Sequence, residues 1–78
     1  MPKMTLTKLK KGKSAKVVEV AGGKQVSHRL SSLGLRVGVS VSKISDFALK
    51  GPVAVKVGST TIALGHTMAE KVMVEANF

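Results

Sequence analysis

Short runs of β-branched residues alternate with polar positions along most of the chain. Each run is rich in Val, Ile and Thr and is bounded by Gly, Ser, Asp or Pro, a pattern typical of β-strands. The predicted strands cover residues 15–20, 39–44, 52–57, 60–64 and 72–74. Gly58-Ser59 between two of the runs predicts a tight hairpin turn. Five short strands leave little interior for a sandwich. We therefore expect an all-β fold, a small barrel closed on itself.

One longer helix interrupts the strands at residues 24–33. There Val26, Leu30 and Leu33 recur at i, i+4 and i+7, which predicts a single apolar stripe facing the core. A helical turn is also predicted at residues 66–72. It has Thr67 as its cap and two core-facing side chains, Met68 and Val72. A short turn before the first strand is predicted from Leu6, Leu9 and Gly12.

The sequence RLSSLGLRVG at residues 29–38 predicts how the longer helix ends. If the last helical residue is Leu33, Gly34 occupies the position that favours left-handed backbone. Leu35 and Leu30 then take the two positions whose side chains meet in a Schellman cap. Gly38 is free to adopt positive φ in the turn into the next strand. On this interpretation the string builds the fold and does not itself hold a ligand.

Length and composition limit what the chain can do. Its 78 residues predict one domain, residues 1–78, and the absence of cysteine rules out disulfides and thiolate metal sites. The basic N-terminal segment is not followed by an apolar run, so we expect no signal peptide or membrane span and a cytoplasmic location.

Charge is concentrated in the first part of the chain. Residues 1–30 carry eight of the 13 Lys and Arg residues but only one of the four carboxylates, Glu19. Such lysines either keep a small valine-rich domain in solution or face an acidic partner, which is nucleic acid, an anionic membrane surface or a protein. With Phe47 and Phe78 as the only aromatic residues, the chain lacks the stacking platform that single-strand binders use.

Candidate catalytic and metal-ligating residues are few and scattered. The carboxylates are Glu19, Asp46, Glu70 and Glu75. No nucleophile, base and acid combination emerges, so no enzymatic activity and no cofactor are predicted. His28 and His66 are the only imidazoles, 38 positions apart and without the close pairing of a zinc site. Together with Asp46 and Glu70 they are the available metal donors, and no native metal site is expected.

The order of motifs resembles the FeoA family, small cytosolic companions of the ferrous iron transporter FeoB. After the Leu6, Leu9 and Gly12 segment come RL..LGL..G at residues 29–38, GP at residues 51–52, and G....AL....A..V.V at residues 58–74. The resemblance covers nearly the whole chain. It implies an SH3-like barrel, no chemistry, and an accessory role through contact with the transporter or its cytosolic G-domain. The structural motif positions it marks are Leu30, Leu33, Gly34, Leu35, Gly38, Gly51 and Pro52. A similar domain ends iron-dependent regulators, but no winged helix is present here, so a free-standing regulator is not expected.

A partner surface is predicted around the helix and its exit turn. These positions carry charge that the helix cap does not need, beside one apolar residue: Lys24, His28, Arg29, Arg36 and Val37. The substitute docking site is the DFALKGPV loop, with Phe47 and Leu49. The expected partner is the FeoB-type transporter, at its G-domain or its membrane-proximal face, with the chain a monomer or weak dimer that can lie near the membrane. The alternative is a basic SH3-like nucleic-acid-binding module.

Overall fold

The computed structural model describes residues 3–46 and 51–76 of the chain. The elements in chain order are β1 (Lys3–Thr5), a 3₁₀ turn (Leu6–Lys8), β2 (Ser14–Val20), α1 (Gly23–Ser32), β3 (Ser40–Asp46), β4 (Val53–Val57), β5 (Thr60–Leu64), α2 (His66–Ala69) and β6 (Val72–Ala76). The mostly-β class with few helices is confirmed, and β2 to β6 correspond to the five predicted strands.

The strands form one six-stranded antiparallel sheet in the order β1-β6-β2-β3-β4-β5. β1 and β5 therefore stand at opposite ends, and among the described residues the ladder does not join them, so the expected closure is not seen. The sequence pattern missed β1 because Lys3–Thr5 is short and has no bounded β-branched run. It becomes a strand by pairing with β6, where Met4 lies opposite Val74.

One hydrophobic core collects side chains from every part of the sheet. Its buried members include Val17, Val41, Val55 and Val74 from four different strands. Each fully buried side chain of this size stabilises the fold by about 1.5–3 kcal/mol. The 3₁₀ turn, which the sequence predicts, adds to the same core, because Leu6 and Leu9 are buried beneath it.

Helix α1 ends in the predicted Schellman cap. The N–H of Leu35 donates to the carbonyl oxygen of Leu30 at 2.9 Å, and the N–H of Gly34 donates to that of Ser31 at 2.9 Å. Gly34 has φ of +93°, the left-handed conformation that the cap requires. Leu30 and Leu35 are both completely buried in the core.

Leu33 departs from the prediction. It is 42% exposed, so the apolar stripe at Val26, Leu30 and Leu33 is wrong at its last position. The physical reason lies in the cap: it turns the chain back so that Leu35 fills the core beneath the end of the helix. Leu33, the C-cap residue, remains at the surface.

The cap of helix α2 lies two residues before the predicted one. Its N-cap is Gly65 and no side chain caps it, so the role assigned to Thr67 is wrong. Thr67 lies inside the single turn and is exposed, while Ala69 supplies the buried contact. Met68 packs against the core from a half-buried position as expected. Val72 is buried too, but as the first residue of β6.

Lys43 is a buried side chain that the sequence analysis did not single out. It is only 1% exposed, and its Nζ donates a hydrogen bond to the carbonyl oxygen of Thr7 at 2.9 Å. This bond connects β3 to the 3₁₀ turn. The available signal was strand alternation, which puts Lys43 on the same face as buried Val41.

Candidate partner-binding surface

We call Lys24, His28, Arg29, Arg36 and Val37 the helix-exit surface. All five are exposed, and Val37 exposes 63% of its area. The first three lie on α1, where Lys24 and His28 are four residues apart and so share a face. Helix α1 contains no carboxylate. Positive charge is therefore not neutralised within this element.

The exit turn sets the position of Val37. The N–H of Val39 donates to the carbonyl oxygen of Arg36 at 3.1 Å, which closes a four-residue turn. Gly38 has the predicted positive φ, +98°, at the third position of this turn. Neighbouring backbone is fixed to the sheet, because the N–H of Gly38 donates to the carbonyl oxygen of Val17 at 2.8 Å. A rigid turn thus presents an apolar side chain beside Arg36.

A groove adjoins the helix end, and the sequence analysis did not identify it. Its cavity measures about 270 Å³. It is lined by Arg29, Leu30, Leu33, Ala63, Leu64, Gly65 and Met68. We call it the β5 groove. The apolar pattern of α1 placed Leu33 in the core. The residues that face the helix across the groove come from β5 and the start of α2, far along the chain, so residue spacing within α1 did not indicate the groove.

A second cavity, of about 340 Å³, lies near the N-terminal turn. It is lined by Met4, Lys8, Leu9, Lys10, Lys13, Ser14 and Ala76. Several of the lysines that make the first part of the chain basic thus surround a partly apolar hollow. Among the described residues no carboxylate borders this cavity, and the three lysines give its rim positive charge.

Among the described residues the predicted metal donors do not gather into one group. His28 is exposed on α1, whereas Nε2 of His66 lies 3.8 Å from Oε2 of Glu70 within α2. Among the described residues no three His, Asp or Glu side chains form a group that could hold a metal ion. Glu19 is elsewhere, 3.9 Å from Nζ of Lys3 at an exposed position.

The structure describes two of the remaining predicted positions, Gly51 and Pro52. Gly51 is half-buried and Pro52 exposed, immediately before β4. Phe47 and Leu49 of the alternative docking loop lie outside the described residues. In the described part of the chain, neither helix has the length and hydropathy needed to cross a membrane.

Comparisons with solved structures agree with this architecture. A crystal structure of an iron uptake regulatory protein, FeoA, is 27% identical, covers 99% of this chain and 100% of that chain, and has a TM-score of 0.89. The solution structure of the FeoA protein from Chlorobium tepidum is 29% identical, covers 96% of this chain and 71% of that one, and has a TM-score of 0.86. These likenesses confirm the SH3-like fold class.

Part of a larger protein also shares the fold. A manganese-dependent transcriptional repressor is 19% identical with a TM-score of 0.87, and the match covers 97% of this chain but 42% of the repressor. At that identity the likeness concerns the fold alone. The search of curated proteins finds no significant match. The FeoA domain family matches residues 4–76, nearly the whole chain. The protein therefore belongs to the FeoA domain family.

Proposed function

We propose that this protein is a non-enzymatic accessory of ferrous iron uptake that binds the cytosolic part of a FeoB-type transporter through its helix-exit surface. The observation that carries the proposal is the exposed Val37, held on a rigid turn beside Arg36 at the exit of α1. Membership of the FeoA family, whose domains are non-enzymatic accessories associated with iron transport, supports the choice of partner.

The composition of the surface suits a protein partner. Interface cores favour arginine and exposed apolar residues and are depleted of lysine. The chain has only two arginines, Arg29 and Arg36, and both are exposed at this end of α1. Neither side chain is needed for the cap, whose two hydrogen bonds are made by main-chain groups. The lysines of residues 8–16 serve instead to speed the approach of an acidic partner.

The test is a binding and uptake experiment with a matched control. Replacing Arg29 and Arg36 together by Ser is expected to abolish binding to the purified cytosolic domain and support of iron uptake. The melting temperature should stay within a few degrees of wild type, since both side chains are exposed. The control is Lys3→Ser with Lys56→Ser, which removes the same charge from exposed positions outside the surface and outside residues 8–16.

Three results would contradict the proposal. The arginine variant could fold and retain full activity, which would place the docking face elsewhere. The control variant could lose binding equally, which would mean that the loss in the arginine variant comes from the change in net charge and not from its position. Duplex DNA could displace the transporter domain, which would favour a nucleic-acid-binding module instead.

A further inference from the structure

Strand β5 is an edge strand of the sheet, and its side chains are all uncharged. It stands last in the sheet, and in the part of the chain that the structure describes its one neighbouring strand is β4. Its sequence TTIAL contains no charge, although the chain as a whole carries 13 Lys and Arg residues. Edge strands are commonly protected from further pairing by lysine, proline or a bulge. The other edge, β1, has Lys3, whereas β5 has none of these and pairs with β4 in continuous register.

The hairpin register decides which backbone groups of β5 point outward. Val57 and Thr60 pair directly across the two-residue turn Gly58-Ser59. In such a hairpin the residues that flank the turn exchange both hydrogen bonds, and bonded and non-bonded pairs then alternate along the ladder. Thr60, Ile62 and Leu64 therefore bond to β4. The N–H and carbonyl groups of Thr61 and Ala63 point away from the sheet.

The β5 groove adjoins the last two residues of this edge strand. Ala63 and Leu64 are consecutive, so their side chains point to opposite faces of the sheet, yet both line the groove. Because Gly65 lines the cavity next to these two residues, the cavity meets β5 at its C-terminal end, where the outward-pointing main-chain groups of Ala63 lie. Beyond the edge it continues to Met68 and to Leu33, which is 42% exposed. Backbone donors and acceptors thus adjoin an apolar hollow of about 270 Å³.

We infer that the β5 groove binds an extended segment of the partner, which adds as a strand to β5, inserts an apolar side chain between Leu33 and Met68, and places a carboxylate near Arg29. In strand addition, main-chain hydrogen bonds supply affinity and pockets for alternate side chains supply specificity. The inference rests on the proposed function, because the transporter's cytosolic domain supplies the segment.

Charge complementarity selects an acidic partner segment over a second copy of this chain. Arg29 lines the groove, and the three elements that contribute to its lining, α1, β5 and α2, contain no Asp or Glu, with Glu70 following α2 outside the lining. Two copies paired through β5 would each bring a net charge of +9. Such like-charge approach is unfavourable. An extended acidic segment meets the same edge with favourable electrostatics.

The first measurement is amide hydrogen exchange, followed by NMR, on the wild-type chain with and without the purified cytosolic domain of the transporter. We expect exchange at Thr61 and Ala63 to slow by at least about tenfold on binding, since their N–H groups gain acceptors. Ile62 serves as the internal reference, because its N–H is already bonded within the hairpin. This measurement needs no variant and so does not depend on a mutant folding.

The second measurement compares two variants with the same change of charge. Ala63→Glu puts a carboxylate at the open edge beside the groove, and we expect its dissociation constant for the domain to rise at least about tenfold. Ser59→Glu puts the same charge in the hairpin turn, outside the groove lining, and should change the constant by less than about threefold. Melting temperatures of both variants establish that they are folded.

The outcomes separate this inference from the function on which it rests. If the domain binds but exchange at Thr61 and Ala63 is unchanged, or both variants bind equally well, the strand-addition mode is wrong and the proposed function stands. If the domain does not bind wild type at all, both fail. If exchange at Thr61 and Ala63 slows with increasing concentration of the chain alone, a second copy occupies the edge and the inference is overturned.

Discussion

Replacing Gly34 by Val tests whether the helix cap holds the fold. Gly34 has φ of +93°, and an L-residue with a Cβ pays about 1–2 kcal/mol for left-handed backbone. A Cβ at this position would lie 3.5 Å from Cγ1 of Val57, an ordinary van der Waals contact. The cost of the first carbon is therefore conformational, and the branched methyl groups of Val add to it. We expect the free energy of unfolding to fall by about 1–2 kcal/mol or more.

Thermal unfolding measures the effect directly. For a domain of this size, 1 kcal/mol corresponds to roughly 4–8 °C in melting temperature, so a decrease of about 4–16 °C is expected. Gly34→Asn is the matched control at the same site, because Asn tolerates the left-handed region better than Val. It should lose clearly less. Gly65→Ser is a second control, since Gly65 has φ of −60°, which any residue adopts.

An unchanged melting temperature for Gly34→Val would contradict this prediction. It would mean that the chain leaves the helix without the left-handed residue. Leu30→Ala provides an independent check on the same cap. It removes the completely buried side chain of the residue whose carbonyl oxygen accepts the cap hydrogen bond from Leu35, and it should cost about 2–5 kcal/mol.

Three further predictions concern other parts of the molecule. Lys43→Ala should destabilise the fold by about 2 kcal/mol or more, because the buried stem and the hydrogen bond to the Thr7 carbonyl are lost. Exposed Lys56→Ala is the control, and equal melting temperatures would contradict the role of Lys43. Calorimetric titration with ferrous iron or zinc should detect only weak binding. A one-to-one complex of sub-micromolar affinity that is lost in the His28→Ala, His66→Ala double variant would overturn this. Replacing Lys8, Lys10 and Lys11 by Gln should slow association with the transporter domain at low salt and have little effect at high salt. An effect independent of salt would argue that these lysines contact the domain directly.

Local sequence rules were sufficient for the elements that are held by their own neighbours. The cap at Gly34 and the hairpin turn at Gly58 depend on residues within a few positions, and both appear as predicted. The motif order also led to the FeoA family, which the match over residues 4–76 confirms. Exposure of Arg29 and Arg36 could be inferred as well, because the cap leaves their side chains unused.

The candidate binding features depended on contacts between distant parts of the chain. Lys3–Thr5 became a strand only through β6. Lys43 is buried because its ammonium group reaches the carbonyl oxygen of Thr7. The β5 groove exists because the end of α1 lies beside a hairpin whose edge strand has no further neighbour among the described residues.

The sequence alone was enough to place the end of α1 at Gly34, the hairpin turn, and five of the six strands to within about two residues at each end, since backbone conformation follows from residue type and spacing over a few positions. Only the tertiary structure decided that Leu33 is exposed and that Ala63 borders a groove. Burial depends on which surfaces meet across the fold, and residues at the same periodic position differ in burial when the chain turns away from the core.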